Sequence, residues 1–316
     1  MNLLAFCLIS TFVMGEIDAP QSQPAPQAPG VTFAPDCSSK LFGCCDSRPM
    51  FLSDHDFDSF IGPITNPILS KDPRSNTYVR PMFINNHIPG DHALGAGSGQ
   101  IYAMQVNIAL TERLSLIADK DGIARIDSDG GIHDSGWLNL AAGLKYTFWR
   151  DVECQTIAAA GFMFEAPWGE ESVFQGRVSG VFTSFITGGQ KIGENIHVLN
   201  TFGYQFAANT HYNSNFFYDS FHIDYGICGW LYPLAELNWF HYTKGGDQLP
   251  SFVGEGDGLL NLGTNGVEGN NLVTVAFGAK AKVSCNIEVG AAWEFPITGR
   301  KDLIENRLVT ELILRY

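Results

Sequence analysis

Three consecutive segments at the C-terminal end repeat with a period of two. In 271–283, Val273, Val275, Phe277, Ala279, Ala281 and Val283 alternate with Leu272, Thr274, Ala276, Gly278, Lys280 and Lys282. In 286–296, Ile287, Val289, Ala291, Trp293 and Phe295 alternate with Glu288, Gly290, Ala292 and Glu294. In 305–316, Leu308, Thr310, Leu312, Leu314 and Tyr316 alternate with Arg307, Val309, Glu311, Ile313 and Arg315. A period of two is the signature of a β-strand. Each strand has one apolar face and one face of charged or small residues. Lengths of about 11–13 residues are long for a soluble sheet and right for a tilted membrane strand.

Only 16% of residues are charged and mean hydropathy is +0.01. A soluble protein carries about 25% charged residues. The chain also has 34 glycines and 12% aromatics. This composition suits a barrel with lipid outside and polar groups inside. A net charge of −14 argues against a nucleic-acid partner. The apolar run Leu3–Met14 is too short to span a membrane and fits the core of a signal peptide, with cleavage after Gly15. Residues 16–36, rich in Pro, Gln and Ala, read as an extended linker. Residues 37–77 read as a Cys-containing arm or plug, with Phe57, Phe60, Ile61, Ile64 and Ile68 packing on the barrel's inner end or rim. The barrel itself is expected over 78–316.

Strands are predicted at 78–84, 100–110, 113–126, 136–148, 152–166, 174–187, 195–208, 219–230, 234–243, 271–283, 286–296 and 305–316. This makes about twelve, an even number. Connections after the even-numbered strands are short; those after the odd-numbered ones tend to be longer, culminating in the Gly-rich 244–270. A membrane barrel segregates its loops in this way, and a soluble sandwich has no reason to.

The signal-like start, alternating strands, segregated turns and aromatic C-terminus resemble those of a Gram-negative outer-membrane β-barrel, over roughly 78–316. The resemblance implies an all-β, transmembrane, antiparallel up-and-down barrel with an N-terminal periplasmic arm. Leu312, Leu314 and Tyr316 are similar to the C-terminal signal read by the outer-membrane assembly machinery. It also implies a porin-like or transporter-like role in the outer membrane, surrounded by its lipid and passing a small solute. A structural or adhesive barrel, or an outer-membrane hydrolase, is the alternative. The cysteine-containing arm departs from common porins.

Only a closed sheet satisfies every backbone group in lipid, where each unpaired group costs several kcal/mol. A mid-bilayer Lys or Arg facing lipid costs about 2–4 kcal/mol. Lys145, Glu153, Glu236, Lys280, Lys282, Glu288, Glu294, Arg307, Glu311 and Arg315 fall in polar registers and are expected to line the lumen. With a tight turn at Ser284-Cys285, Lys280 is expected roughly opposite Glu288, and Glu294 near Arg307. Trp137, Phe148, Trp149, Trp168, Trp230, Tyr232, Trp239 and Trp293, near strand ends, suit interfacial girdles.

Cys37, Cys44 and Cys45 lie in the arm; Cys154, Cys228 and Cys285 map to periplasmic strand ends or turns. In an oxidising compartment this arrangement fits disulfides that staple the arm to the barrel, or else unpaired thiols in the wall. Asp54, Asp56 and Asp58 resemble the opening of a calcium loop, but the loop's Gly and its closing Glu are missing. Asp119-Lys-Asp121-Gly122 and Asp127-Ser-Asp129-Gly130 read as acidic turns. His211 and Ser214 resemble the His/Ser pair of outer-membrane phospholipases, but their spacing does not match and no orienting Asn is identifiable. No enzyme, cofactor or metal is therefore expected. The Gly-rich 245–270 reads as an outer loop or lid.

Overall fold

The computed structural model describes residues 49–176 and 179–316. The strands are β1 (Tyr78–Ile88), β2 (Gly97–Ala109), β3 (Leu114–Lys120), β4 (Ile123–Ser128), β5 (Ile132–Trp137), β6 (Leu140–Asp151), β7 (Thr156–Ala166), β8 (Val181–Ile192), β9 (Ile196–Ala207), β10 (Asn215–Tyr225), β11 (Leu231–Lys244), β12 (Asn271–Ser284), β13 (Ile287–Pro296) and β14 (Asn306–Arg315). All pairings between them are antiparallel, and the sheet closes because β1 pairs with both β14 and β2. Tyr78 thus lies between Arg315 and Asn107.

The ring has twelve staves, with β4 and β5 as two extra strands. β2 pairs with β3 through Val106–Ala109 and with β4 through Gly97–Tyr102. β3 and β4 are therefore two pieces of one stave, as are β5 and β6. The break falls at Asp121-Gly122, where the Asp121 carboxylate accepts the Met104 N–H at 2.9 Å. Gly122 has φ +111°, and a Cβ there would sit 2.1 Å from the Tyr102 carbonyl oxygen, so only glycine fits.

Each of the twelve expected strands corresponds to one stave, with shifted ends. The strand expected at 174–187 is β8, which starts at Val181 and runs through Gly188-Gly189 to Ile192. Glycine is used there because Phe60 packs close: a Cβ on Gly189 would be 3.2 Å from its ring. The strand expected at 219–230 is β10, which starts at Asn215 because Phe216 and Tyr218 point inward.

The faces invert the usual globular pattern. Outward positions are apolar and exposed, including Phe277 at 61%, Trp293 at 60% and Leu144 at 50%. Inward neighbours such as Lys280, Thr147 and Glu294 are buried. Outward aromatics pack across strands: Phe162, Phe182 and Phe206 form a stacked row with centroids 5.7 and 5.4 Å apart. A polar pair interrupts this face, with Asn200 Nδ2 donating to Asp219 at 2.6 Å. Trp137, Trp168, Trp230 and Trp293 are exposed as a girdle requires, while Phe148, Trp149 and Trp239 are half-buried. Tyr232 does not belong to the girdle. It shares the inward register of Leu234 and Glu236, is buried, and carries the Lys282 ammonium 4.9 Å from its ring centroid.

Candidate functional site: the barrel lumen

The interior is occupied by two segments, one from each end. At the short-turn rim, Phe51 N–H donates to the Ala109 carbonyl at 2.8 Å and Ser53 N–H to the Tyr316 carbonyl at 3.1 Å. The chain then climbs the lumen through Phe57, Phe60, Ile61 and Ile64, all fully buried, turns at Asn66–Leu69, and descends through Lys71 and Arg74 to β1. It returns beside its own start: Asp54 N–H donates to the Ser75 carbonyl at 3.1 Å, and Thr77 N–H to Ser53 Oγ at 2.9 Å. Phe57 and Phe60 thus pack just inside the short-turn end, against Ile157 and Leu199, while Ile61, Ile64 and Ile68 join the larger cluster deeper in the lumen.

This arm has few internal backbone bonds, so the wall supplies its partners. Glu236 accepts the N–H groups of Ile64 and Thr65 at 2.8 and 2.7 Å, as well as the Thr65 hydroxyl. Lys280 donates to the Gly62 carbonyl at 2.8 Å, Lys282 to Phe60 at 3.0 Å, and Lys145 to Arg74 at 2.8 Å. Arg80 donates to the Pro63 carbonyl at 2.9 Å. Behind Glu236 runs a hydrogen-bonded chain: His222 Nδ1 meets Glu236 at 2.8 Å, His222 Nε2 meets Asp224 at 3.1 Å, and Asp224 meets His197 at 2.7 Å. Arm charges are paired as well. Lys71 meets Asp119 at 2.5 Å, and Arg315 meets Asp58 at 2.7 Å. The Asp54, Asp56, Asp58 run holds basic side chains: Arg150 bonds Asp54 and Asp56, and Arg315 bonds Asp58.

The other half of the lumen is aromatic and loop-filled. Phe216, Tyr218, Phe240 and Tyr242 point inward, with Phe216 and Tyr242 centroids 5.3 Å apart. The β11–β12 loop folds down over them, burying Leu259, Leu262 and Val267. It meets the arm where Gly258 abuts Leu69. Glu255 organises the loop from within: its carboxylate accepts Ser214 Oγ at 2.5 Å, Leu262 N–H at 2.9 Å and Thr264 N–H at 2.8 Å. Arg307 on β14 ties the loop to the wall through Asp257 at 2.5 Å, and also bonds Glu294 at 3.4 Å. Burial pushes Glu255 up to about 7 against its three donors, and pushes Asp257 up to about 7 against Arg307. Among the described residues, small spaces remain, one of about 20 Å³ beside Arg80 and Lys280 and one of about 50 Å³ beneath the loop.

Of the residues expected to line the lumen, Lys145, Glu236, Lys280, Glu288, Glu294, Arg307, Glu311 and Arg315 are buried and inward, and Lys282 is half-buried at the rim. Glu153 is the exception: β7 starts only at Thr156, so Glu153 sits exposed in the β6–β7 turn. Glu294 and Arg307 face each other across β13 and β14. The Lys280–Glu288 pairing does not form. The turn falls at Cys285-Asn286 and a bulge lies between Lys282 and Ser284, so Lys282 is opposite Glu288 and Lys280 opposite Gly290; Lys280 instead pairs with Glu311 at 2.5 Å. Leu312, Leu314 and Tyr316 lie on the outward face of β14 and at its end.

His211 and Ser214 do not meet. His211 faces Asp247 at 3.0 Å, and Ser214 is the buried donor to Glu255. Cys154, Cys228 and Cys285 are free and exposed in three short turns at one end. The described residues contain no disulfide, and Cys37, Cys44 and Cys45 lie outside them. Among the described residues, no group of three or more His, Cys, Asp or Glu side chains is arranged to hold a metal.

No family model and no curated protein sequence matches the chain. Solved structures do. An outer-membrane channel from Pseudomonas putida F1 superposes with a TM-score of 0.59 at 11% identity, over 81% of this chain and 100% of that one. The NanC porin gives a TM-score of 0.48 at 10% identity, over 76% and 100%. The KdgM porin in complex with disordered oligogalacturonate gives 0.45 at 10% identity, over 75% and 99%. The chain shares with the first of these the fold of a closed outer-membrane β-barrel, and at 11% identity the likeness is one of fold.

Proposed function

We propose that this protein is an outer-membrane channel, exported by its N-terminal signal and delivered to the assembly machinery by Leu312, Leu314 and Tyr316, whose lumen is shut by its own arm. Displacing the arm opens a path for a small solute past Lys145, Lys280, Lys282, Glu236, Glu288 and Arg315. The observation that carries this reading is the kind of contact the arm makes. Wall lysines and Glu236 hold its peptide groups by hydrogen bonds, which water can replace when the arm leaves. Lys145 and Lys282 then face the lumen without those acceptors.

The test is single-channel conductance of the refolded protein in a planar bilayer, with and without residues 16–75. The full chain is expected to be silent, and the deletion to show stable steps whose ion selectivity shifts with Lys280→Glu. Silence of a folded deletion protein would sink the channel reading. It would favour a structural or adhesive barrel, the second reading, which draws its support from how completely arm and loop fill the lumen. Steps from the full chain would show that the arm is not the barrier.

A further inference from the structure

Where the arm crosses the wall formed by β1, β6, β12 and β14, a cavity of about 20 Å³ remains. That is room for one or two water-sized particles. Six cations line it: Lys71, Arg74, Arg80, Lys145, Lys280 and Arg315. Five carboxylates pair with them. Asp119 takes Lys71, Asp72 takes Arg74, Glu311 takes both Arg80 and Lys280, and Glu288 and Asp58 share Arg315. The cation left over is Lys145. Its ammonium donates to the carbonyls of Asp72 and Arg74 and meets no carboxylate at ion-pair distance among the described residues. A buried charge without a counter-charge is costly.

Two further groups at the cavity point the same way. Asn76 Nδ2 and Arg315 Nε are buried and have no hydrogen-bond partner, and both residues line the space. Both atoms are donors. Asp72 and Asp119 also line the space but are engaged by Arg74 and Lys71, so the groups left unanswered are donors and the charge balance is positive, which an anion answers better than a neutral water. The volume excludes sulfate, phosphate or a carboxylate compound.

We propose that this cavity is a binding site for a single monatomic anion, a halide, which bridges the arm (Asn76, Lys71, Arg74) to the wall (Lys145, Lys280, Arg315). Such an ion stabilises the state in which the arm is docked, because the site exists only when both sides are present. The site does not depend on whether the barrel conducts.

The test is bromide in place of chloride, with the full chain. Crystals soaked in bromide are expected to show an anomalous difference peak in the cavity. The thermal unfolding midpoint is expected to rise saturably by about 2–4 °C in sodium bromide over sodium gluconate at equal ionic strength. In Asn76→Asp both the peak and the rise should vanish. That change keeps an oxygen for the Asp54 N–H, which Asn76 Oδ1 accepts at 3.1 Å, and turns the free donor into an acceptor. Lys145→Met is the second variant. Ordered water without anomalous signal, equal midpoints in the two salts, or a peak that survives both variants would overturn the proposal. The wild-type measurements decide alone if neither variant folds.

Discussion

The two segments that fill the lumen are held in opposite ways. The arm, 53–77, depends on the wall, whose Glu236, Lys145, Lys280, Lys282 and Arg80 satisfy its peptide groups. The 245–270 loop depends largely on itself: Glu255 collects donors from Leu262 and Thr264 within the loop, and Arg307 adds a tie to the wall. A segment held by its surroundings should come loose when the wall is altered. A segment held from within should respond to its own titration and leave the barrel intact.

Glu236→Ala should break the arm side of the contrast with the largest effect. It strands two N–H groups, a hydroxyl and the buried His222. A loss of about 3–5 kcal/mol is expected in urea unfolding, the range for removing one member of a buried charged pair. A loss below about 1 kcal/mol, the worth of one ordinary hydrogen bond, would mean the arm does not rely on this anchor. Arg307→Met cuts the loop's tie to the wall and leaves Asp257 and Glu294 without their cation. We expect about 1–3 kcal/mol and faster amide exchange over 254–264, with exchange in 57–72 unchanged. Equal acceleration in both segments would erase the distinction.

The loop should also feel pH. The ordinary Glu value is 4.5, and Glu255 in the loop is pushed up to about 7. The packed loop therefore holds a proton that the open loop releases between those values. Its stability is full below about 4.5 and declines as pH rises through 7, by at most about tenfold in the opening equilibrium per pH unit for one group. Amide exchange of 254–264 at pH 5 and 8 measures this, and Glu255→Gln should flatten much of the difference. The smallest effect belongs to Arg150→Gln at the rim. It loses ion pairs with the buried Asp54 and with the exposed Asp56, worth about 1.5 kcal/mol together, and only the Asp56 part is weakened by salt. A larger, salt-independent loss would promote the rim latch to a main anchor.

The barrel was legible because its two faces meet different solvents. Alternation such as Phe277, Ala279, Ala281 against Ala276, Gly278, Lys280 leaves no other reading, and it placed a stave at each expected strand. Strand ends were less legible where both faces are apolar, as in Asn215–Tyr218, since inward aromatics erase the contrast. The Lys280–Glu288 pairing failed because the two strands turn at Cys285-Asn286, which together with the bulge leaves Lys280 opposite Gly290. Tyr232 misled because an aromatic near a strand end serves a lipid interface or a lumen equally well. The arm gave only its apolar residues. Lacking periodicity of its own, it takes its path from the wall's hydrogen-bond donors and acceptors, a property of twelve strands at once.

The arm enters and leaves by the same mouth, with Ser53 beside Thr77. Mechanically it is therefore a tethered stopper rather than a threaded rod. No chain end has to travel through the barrel to clear it, and β1 keeps hold of it afterwards. A pull on the chain before residue 49 loads the contacts in series, beginning with Phe51, Ser53 and Asp54 and passing to Phe60 and Thr65. The force needed is set by the strongest single latch along that path rather than by the sum of all of them.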